Sequence, residues 1–460
     1  MAETLDTPVA ADAAETGISP ALVHDVSSAL GALDEVRVRT LVADLRSPDI
    51  ADLIELLQPG ERAAFVQALG QEFEYDVLPE LDETVRDQLS DELPNEYLAR
   101  AVTELESDDA AYIVETLEPK DQEEVLAKLS VTDRAALLRN LEYDEETAGR
   151  LMQSDFVTVA PFWDVGQVID YMRETDDLPD TFSEIFVIDP SFKVLGVVEL
   201  SRILRSKRQA RIEELMRSDL VTVQATDDQE AVARKFERYD LMSAPVVDDN
   251  NRLVGVVTVD DVVEVIQSEA DEDIHLLGGV GDESVLDNVL STARSRFVWL
   301  LFNLISAILA SIVIKLFDAS IEQMVALAVL MPIVASMGGN AGTQTMTVAV
   351  RALATKTLGP VNAARVILRE ASVGLINGAI FATILGVVTV LWFGSGRLGI
   401  IIAAAMVFNH LAAALAGILI PVALDRFGQD PAVASSVFVT TVTDVIGFFA
   451  FLGLATIWLL

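Results

Sequence analysis

The spacing of apolar and polar positions divides the chain into regions of different character. Over residues 21–150, leucine and alanine recur at intervals of three and four residues, as in IADLIELLQPGERAAFVQALG, which is typical of short amphipathic helices. Each pair of short helices repeats the pair before it with variation, so this region predicts a small α-helical solenoid with one acidic face. A plain helical spacer is the alternative. Residues 1–20 are small, polar and acidic, and they predict a disordered cytosolic start without a signal peptide.

Residues 151–274 contain an internal duplication. The stretch LMQSDFVTVAPFWDVGQVIDYM returns sixty-four residues later as LMRSDLVTVQATDDQEAVARKF, and each copy ends in an apolar run around a glycine, Gly196 or Gly255. The pattern predicts strand, helix, strand, strand and helix, made once over 151–210 and again over 211–274. This region is therefore expected to be an α+β pair of similar domains.

The duplicated unit resembles a tandem cystathionine-β-synthase (CBS) pair, and the resemblance covers the whole region. It implies an adenine-nucleotide sensor in which a Thr/Ser-x-x-Asp stretch after the glycine holds a ribose. The second copy has this stretch as Thr258 and Asp261, whereas the first copy has Glu199 and Arg202 in its place. At most one good nucleotide site is implied, with ATP as the candidate ligand. A CBS pair that only dimerises or binds metal is the alternative.

The last part of the chain predicts an all-α polytopic membrane domain over residues 297–460. Residues 275–296 form a linker, with a glycine-rich turn and a helix that enters the membrane domain. Five segments have the roughly 20 apolar residues that a membrane helix needs, at about 297–317, 323–350, 371–393, 398–424 and 431–460. Basic residues cluster before the first segment and between the second and third, which places the amino terminus inside the cell and the carboxyl terminus outside.

Polar side chains recur inside two of these segments at helical spacing. In the second segment, Ser336, Asn340, Thr343 and Thr347 share one face, Gln344 flanks it, and Pro332, Gly338 and Gly339 are expected to bend or open the helix. In the fifth, Asp444 lies mid-segment, and an uncompensated aspartate there is costly enough to indicate an ion path. The alternative is a structural aspartate bonded to a neighbouring helix. The candidate pore ligands are Asp444, Asn340, Gln344, Thr440, Thr443 and Asn409.

The charge and composition of the chain favour a hard cation as the transported ion. The net charge is −40, and residues 297–460 hold only 7 of the 32 basic and 6 of the 72 acidic residues, so the acidity belongs to the first 296 residues. Such a surface repels nucleic acid and attracts cations. The absence of cysteine and the presence of only three histidines argue against zinc or copper. One Asp444 carboxylate per chain, two in a two-fold dimer, suits Mg²⁺ with its retained waters, but leaves Mn²⁺, Ca²⁺ and Co²⁺ open.

The order of the regions resembles the MgtE family of magnesium channels or transporters. PIVASMGGNAGTQ (332–344) is similar to that family's signature in the second membrane helix, and TDVIGFF around Asp444 resembles its pore segment. The resemblance implies Mg²⁺ uptake across the inner (plasma) membrane by a homodimer with its pore on the dimer axis. It also implies that cytoplasmic Mg²⁺ binds acidic residues of the helical domain and the CBS pair and closes the pore. Whether the protein is a channel or a coupled carrier stays open.

The sensor ligands are assigned by the same similarity. Those at the end of the second CBS unit are Asp261, Glu264, Glu269, Glu272 and Asp273, followed by Asp228, Glu230 and Asp240, with Asp108 and Asp109 on the helical domain. Two other classes compete with this interpretation. A CBS-regulated transporter for another ion is one, although an anion pore would want basic lining residues. An intramembrane aspartyl protease needs two carboxylates, and only Asp444 lies at depth, so no enzyme is expected. No obligate protein partner is evident.

Overall fold

The computed structural model describes residues 18–175, 178–179, 181–281, 283–287, 289–433 and 435–459. It divides into two compact units, Met1–Gln267 and Ser268–Leu460. The predicted disordered start lies outside the described residues up to position 17.

The amino-terminal region is helical throughout its described length, as predicted. Its α-helices are α1 Pro20–Gly31, α2 Glu35–Val42, α3 Ser47–Leu56, α4 Pro59–Leu69, α5 Glu83–Glu92, α6 Asn95–Glu104, α7 Ser107–Thr116, α8 Pro119–Lys128 and α9 Val131–Asn140. Two short 3-10 turns, Gly70–Glu72 and Tyr75–Val77, lie between α4 and α5.

A twelve-residue period organises the second half of this region. Helices α6 to α9 are each ten residues long and are joined by two-residue connections. Each of α6, α7 and α8 ends at a leucine whose backbone turns to the extended conformation, namely Leu105, Leu117 and Leu129. Leu105 and Leu117 are buried. Leu105 and Leu117 therefore mark the points where α6 and α7 end and at the same time contribute buried side chains to the core.

The CBS pair contains two small sheets of the predicted order. Its elements are α10 Ala148–Leu151, β1 Thr158–Val159, α11 Val165–Glu174, β2 Glu184–Ile188, β3 Val194–Glu199, α12 Leu200–Leu204, α13 Ile212–Leu215, β4 Val223–Gln224, α14 Gln229–Tyr239, β5 Ser243–Val247, β6 Leu253–Thr258 and α15 Val259–Gly278. In each sheet the first strand is parallel to the second, and the second is antiparallel to the third. The predicted duplication is confirmed.

The two copies interlock through their leading segments. Met152, which opens the first copy, packs on Gly255 of the second, and Met216, which opens the second, packs on Gly196 of the first. Backbone bridges accompany both contacts, with Gln153 paired to Val256 in one of them. The repeated methionine and the repeated glycine therefore form one kind of packing contact. It occurs twice, each time between the methionine of one copy and the glycine of the other.

The carboxyl-terminal unit contains the five predicted membrane helices. They are α16 Val289–Lys315, α18 Ala326–Ala354, α19 Ala363–Phe393, α20 Gly396–Arg426 and α21 Ser435–Leu459, with a short α17 Asp318–Gln323 after the first. Two details differ from the sequence-based expectation. The end of the predicted linker, from Val289, forms the first turns of α16, and α18 runs unbroken through Pro332 and the following glycines.

A methyl group added at Gly255 should disturb the interlock. A Cβ there would lie 2.5 Å from Met152 Sδ and 2.6 Å from its Cγ, so the methionine must move out of a close-packed site. We expect Gly255→Ala to lower the free energy of unfolding by about 1 to 3 kcal/mol, measured by urea unfolding of the detergent-solubilised chain. Gly60→Ala is the matched control, because a Cβ at Gly60 in α4 meets nothing within 4 Å and alanine favours helix. Equal stability of the two variants would contradict the interlock.

Candidate functional site

A polar face runs along the membrane helix α18. Ser336, Asn340, Thr343, Gln344 and Thr347 are all exposed in the single chain, while Gly338, Gly342 and Thr345 on the other side are buried. Uncharged polar groups in the middle of a membrane helix are costly against lipid and are tolerated against protein or water. This surface, called here the polar face of α18, is therefore suited to line a water-filled path or to meet another polypeptide.

Helix α21 brings Asp444 and its neighbouring threonines next to α18. Val439 and Thr443 pack against Gly342, where a Cβ would lie 2.5 Å from Val439 Cγ1. Thr440 Oγ1 donates to the Ser436 carbonyl at 2.8 Å. Thr443 Oγ1 donates to the Thr440 carbonyl at 3.0 Å and is fully buried, whereas Asp444 is only partly buried. The hydroxyl groups of Thr440 and Thr443 are thus hydrogen-bonded within their own helix. Asp444 is an acidic side chain that remains partly exposed beside the contact between α18 and α21.

Asn409 on α20 lies in the packed core between α18 and α21. Its Nδ2 donates to the Val334 carbonyl at 2.7 Å, and the residue is fully buried. Gly338 and Gly447 both approach this amide so closely that a Cβ at either position would collide with it. Among the described residues, Asn409 Oδ1 has no hydrogen-bond partner. The structure therefore places Asn409 behind the polar face of α18 and does not bring it onto that face with Asn340 and Gln344.

The end of α15 packs against the same two helices. Leu276 and Leu277 contact a small apolar cluster formed by Met346 and Val350 of α18 and by Ala432 and Val439 near and on α21. Leu276 and Leu277 lie near the carboxyl end of α15, so this end of the helix belongs to the carboxyl-terminal unit.

A second cluster, of carboxylates, forms where the helical region meets the CBS pair. Asp108 and Asp109 lie in the first turn of α7, which follows Glu106, and Asp260 and Asp261 lie in the first turn of α15. An acidic first turn stabilises a helix by facing the positive end of its dipole. The fold sets these two helix starts against each other. The set Glu106, Asp108, Asp109, Asp260, Asp261 and Glu264 is called here the acidic contact.

One neutral side chain bridges the two sides of the acidic contact. Gln153 Nε2 donates to Glu106 on one side, and to Asp261 Oδ2 at 3.2 Å and Thr258 Oγ1 at 3.3 Å on the other. Thr258 Oγ1 also donates to Asp261 Oδ2 at 2.5 Å. Oδ1 of Asp108 is buried and has no hydrogen-bond partner within the described part of the chain. The contact therefore holds more acceptors than its donors satisfy.

Burial and mutual repulsion raise the pKa values of three aspartates of this contact, Asp108, Asp109 and Asp261. Burial, and then the charges of Asp261, Glu264 and Glu106, raise the pKa of Asp109 to about 7, although the Arg86 guanidinium opposes the shift. Burial raises the pKa of Asp261 to about 7 against the hydrogen bond from Thr258, with Asp260 and Glu106 adding to the rise. Burial and the charges of Asp261 and Asp109 raise the pKa of Asp108 well above its usual range. Carboxylates in this state gain from a proton or a cation.

Direct metal ligation is a separate matter. Across the residues that the structure describes, no three acidic or histidine side chains converge closely enough to hold a bare metal ion. Magnesium dehydrates reluctantly and is usually bound through one or two carboxylates and several waters. The acidic contact therefore fits a hydrated divalent ion bridging the two sides better than a tight all-protein cage.

The other predicted sensor residues lie elsewhere. Glu269, Glu272 and Asp273 follow Asp261 two to three turns further along α15. Asp228 caps α14 by accepting from the Ala231 amide at 3.1 Å, and Glu230 pairs with Arg234 at 2.5 Å. Asp240 ends α14 in the left-handed conformation, with φ of 51°. The structure brings only Asp108, Asp109, Asp261 and Glu264 of the ten predicted sensor residues into the acidic contact.

A cavity of about 480 Å³ opens between the two CBS copies, beside the acidic contact. Thr258 lines it, as do Gln153 and Asp260, so the predicted ribose-binding threonine borders a real cavity. Asp261 itself is not a lining residue, but it accepts hydrogen bonds from Thr258 and Gln153, which are. The cavity therefore lies next to the predicted nucleotide-binding residue Thr258 of the second copy. Glu199 and Arg202, at the matching positions of the first copy, do not line it.

Sequence reasoning missed Glu106 and Gln153. Glu106 directly precedes the acidic turn SDD at the start of α7, so the acidic run itself could have indicated it. Gln153 belongs to the opening LMQSD of the first CBS copy, where the second copy has Arg217. That difference between two otherwise similar copies was the available signal for a special role.

Comparisons with known proteins agree with this architecture. A family model described as a divalent cation transporter, MgtE, matches residues 331–454, the MgtE intracellular N domain matches residues 45–146, and the CBS domain matches residues 148–208 and 212–268. The magnesium transporter MgtE of Bacillus subtilis is 27% identical over 419 residues, which cover 91% of this chain and 93% of the relative. That of Thermus thermophilus is 35% identical over 371 residues, 79% of each chain.

Among solved structures, the cytosolic domain of the Mg²⁺ channel MgtE in complex with ATP is similar to this chain. It is 29% identical with a TM-score of 0.50, and the match covers 53% of this chain and 99% of that one. The predicted family is confirmed, and with it the prediction that the protein is not an enzyme. Matched in all three of its regions and over most of its length, this multi-pass membrane protein belongs to the MgtE family of magnesium transporters.

Proposed function

We infer that this chain forms a Mg²⁺-selective channel that mediates uptake across the plasma membrane and is closed by cytoplasmic Mg²⁺. The observation that carries the closing step is the acidic contact, in which carboxylates of two domains are held together with raised pKa values. The similar cytosolic domain is described as part of a Mg²⁺ channel, which favours a channel over a coupled carrier.

The permeation path is proposed to run along the polar face of α18 and past Asp444. The polar face of α18 is exposed and Asp444 is partly exposed in a single chain, yet both lie on helices apolar enough to span a membrane. A second copy placed across a two-fold axis would enclose them and bring two Asp444 carboxylates together. A homodimer with its pore on that axis is therefore proposed. Thr440 and Thr443 would support Asp444 from within α21, and Asn340 and Gln344 would offer oxygens from α18.

The sensor is proposed to work by relieving repulsion. At low cytoplasmic Mg²⁺ the carboxylates of α7 and α15 repel, and the contact is loose. At high Mg²⁺ a hydrated ion bridges them, because a divalent charge removes the repulsion that protons otherwise have to remove. The ion shifts the equilibrium only to the extent that it binds the closed contact better than the open one.

Helix α15 is the proposed link between sensor and pore. It carries Asp261 in its first turn and packs Leu276 and Leu277 on α18 and α21 near its end. A change in the angle of α15 at the CBS pair would therefore act directly on the helices that carry Asn340 and Asp444. The basic residues that flank the membrane helices favour a cytoplasmic amino terminus, which places the sensor inside the cell.

Replacing Asp444 should remove the ion site. We expect Asp444→Ala to lower Mg²⁺ flux into proteoliposomes at least about tenfold, because the uncharged helix no longer compensates the desolvation of the ion. Flux of Mg²⁺, Mn²⁺ and Ca²⁺ is measured in turn. Asp318→Asn is the matched control, since it removes one charge at an exposed position of the same unit and should leave flux unchanged. Unaltered flux and selectivity in Asp444→Ala would show that Asp444 is structural.

Neutralising the acidic contact should weaken closure. We expect the double variant Asp109→Asn/Asp261→Asn to need a roughly tenfold higher cytoplasmic Mg²⁺ concentration for half inhibition, because two of the bridging charges are gone. The measurement is patch-clamp current against Mg²⁺ on the cytoplasmic side. Asp249→Asn, at an exposed turn of the same unit, controls for net charge. An unchanged inhibition curve would move the sensor to Glu269, Glu272 and Asp273.

The raised pKa values also predict a pH dependence in the absence of metal. Asp109 and Asp261 have pKa values of about 7 when folded and near 3.8 when unfolded, so the folded state binds more protons between these values. Stability should therefore fall as the pH rises from about 4 to 7 and level off above, because the slope follows the protons bound by the unfolded state minus those bound by the folded state. Thermal unfolding in EDTA at pH 5.5 and pH 8 measures this. The difference should shrink in the Asp109→Asn/Asp261→Asn variant and in saturating Mg²⁺, and an undiminished difference in both would contradict the assignment.

A further inference from the structure

Arg86 of α5 is a buried basic residue without a direct carboxylate partner. Only 8% of its surface is exposed. Its Nη1 donates to the Pro79 carbonyl at 3.3 Å, and its Nε has no hydrogen-bond partner among the described residues. In the same part of the chain, none of the ion pairs includes Arg86. A buried charge is costly unless other groups compensate it, so the surroundings of this guanidinium have to supply a negative potential.

The ring of Tyr112 fixes the guanidinium beside α7. Arg86 Cζ lies 3.9 Å from the centroid of this ring, which is the geometry of a cation–π contact. Tyr112 follows Asp108 by four residues and Asp109 by three on α7, and residues at these spacings are neighbours on a helix surface. The positive charge therefore lies on the side of α7 that carries the aspartates of the acidic contact.

The charge of Arg86 acts on both sides of the acidic contact. Burial is the main cause of the raised pKa values of Asp109 on α7 and Glu264 on α15, and the Arg86 charge opposes the rise in both. Because Arg86 forms no ion pair with either carboxylate, this effect is exerted through space. Arg86 thus removes part of the repulsion between α7 and α15, as a bound cation would, and it is present whether or not a metal ion is bound.

We propose that Arg86 is a built-in counter-ion of the acidic contact, and that its charge limits how much the contact gains from Mg²⁺. This inference rests on the proposed Mg²⁺ sensor and names a residue that sets its sensitivity. With Arg86 in place, the metal-free carboxylates repel one another less than they would alone. The same positive charge repels a divalent cation, so Mg²⁺ binds less tightly than it would without the guanidinium. Both effects reduce the difference in stability between the metal-free and the Mg²⁺-bound contact.

The test is the rise in Tm that Mg²⁺ produces in the purified, detergent-solubilised full-length protein. Thermal unfolding is measured at pH 8 and equal ionic strength, once in EDTA and once in excess MgCl₂. We expect Arg86→Gln to have a lower Tm than wild type in EDTA. On addition of Mg²⁺ its Tm should rise by at least about 3 °C more than that of wild type, because a ligand that binds more tightly stabilises the folded state further. Arg86→Lys keeps the charge and should show the smaller rise of wild type.

Arg62 of α4 offers a matched control for the loss of a buried arginine. It is 6% exposed and donates to Gln88 Oε1 at 3.1 Å and to the Glu55 carbonyl at 3.2 Å, and neither partner belongs to the acidic contact. Arg62→Gln should therefore lower the Tm by the same amount in both solutions. An Arg86→Gln protein that behaves in this way, with the same rise in Mg²⁺ as wild type, overturns the inference.

A double variant separates the charge of Arg86 from its packing. Arg86→Gln/Asp109→Asn removes one charge of each sign, so the loss of Tm in EDTA caused by Arg86→Gln should shrink by at least about half in the Asp109→Asn background. If Arg86→Gln alone does not fold, the double variant is expected to fold. Strictly additive losses, or a double variant that fails to fold although Asp109→Asn folds, overturn the inference.

The wild type reports separately on the proposed sensor. If Mg²⁺ neither raises the Tm of wild type nor inhibits its current from the cytoplasmic side, the proposed sensor fails and the role of Arg86 fails with it. If wild type responds to Mg²⁺ in both measurements and Arg86→Gln gains no more than wild type, the sensor stands and only the role of Arg86 is removed.

Discussion

The amino-terminal ends of α7 and α15 face each other in this protein. The acidic first turn of each helix stabilises that helix by itself, but the two acidic turns repel each other when they are packed together. Asp108 and Asp109 suit the positive end of the α7 dipole, and Asp260 and Asp261 suit that of α15. Once the two helix starts are packed against each other, burial, with neighbouring charges adding to it, raises the pKa values of Asp109 and Asp261 to about 7. Gln153 and Arg86 compensate only part of the repulsion. The amino-terminal unit therefore adopts this packing at a cost in free energy that a proton or a cation can remove, which supports the proposed role as a sensor.

The acidic contact lies beside the CBS pair, from which the long helix α15 extends. The CBS copies interlock by exchanging Met152 and Met216 onto Gly255 and Gly196, and α15 directly follows the last strand of the second sheet. The same helix carries Asp261 in its first turn and the apolar residues Leu276 and Leu277 near its end. That helix runs without a break from Val259 to Gly278, because each of its turns is closed by backbone hydrogen bonds.

The membrane unit separates two kinds of polar residue. Asn340, Gln344 and Asp444 remain accessible in the single chain, whereas Asn409 is sealed between glycines of α18 and α21. Asn409 ties the Val334 carbonyl to α20. Its spacing within an apolar segment made it look like a candidate for the ion path, but spacing along one helix does not say which neighbours fill the space around it.

The sequence by itself determined the order of regions, the duplicated CBS unit, the five membrane helices and the single carboxylate at depth, because local periodicity and hydropathy encode each of these. It also indicated the family, through the motifs around Asn340 and Asp444. Only the tertiary structure brought Asp108, Asp109, Asp261 and Glu264 together out of the predicted sensor residues, and only it revealed that Gln153 and Glu106 join them. Gln153 meets Glu106 and Asp261 across 47 and 108 positions of the chain. Which carboxylates face one another depends on how distant segments pack, and no local pattern records it.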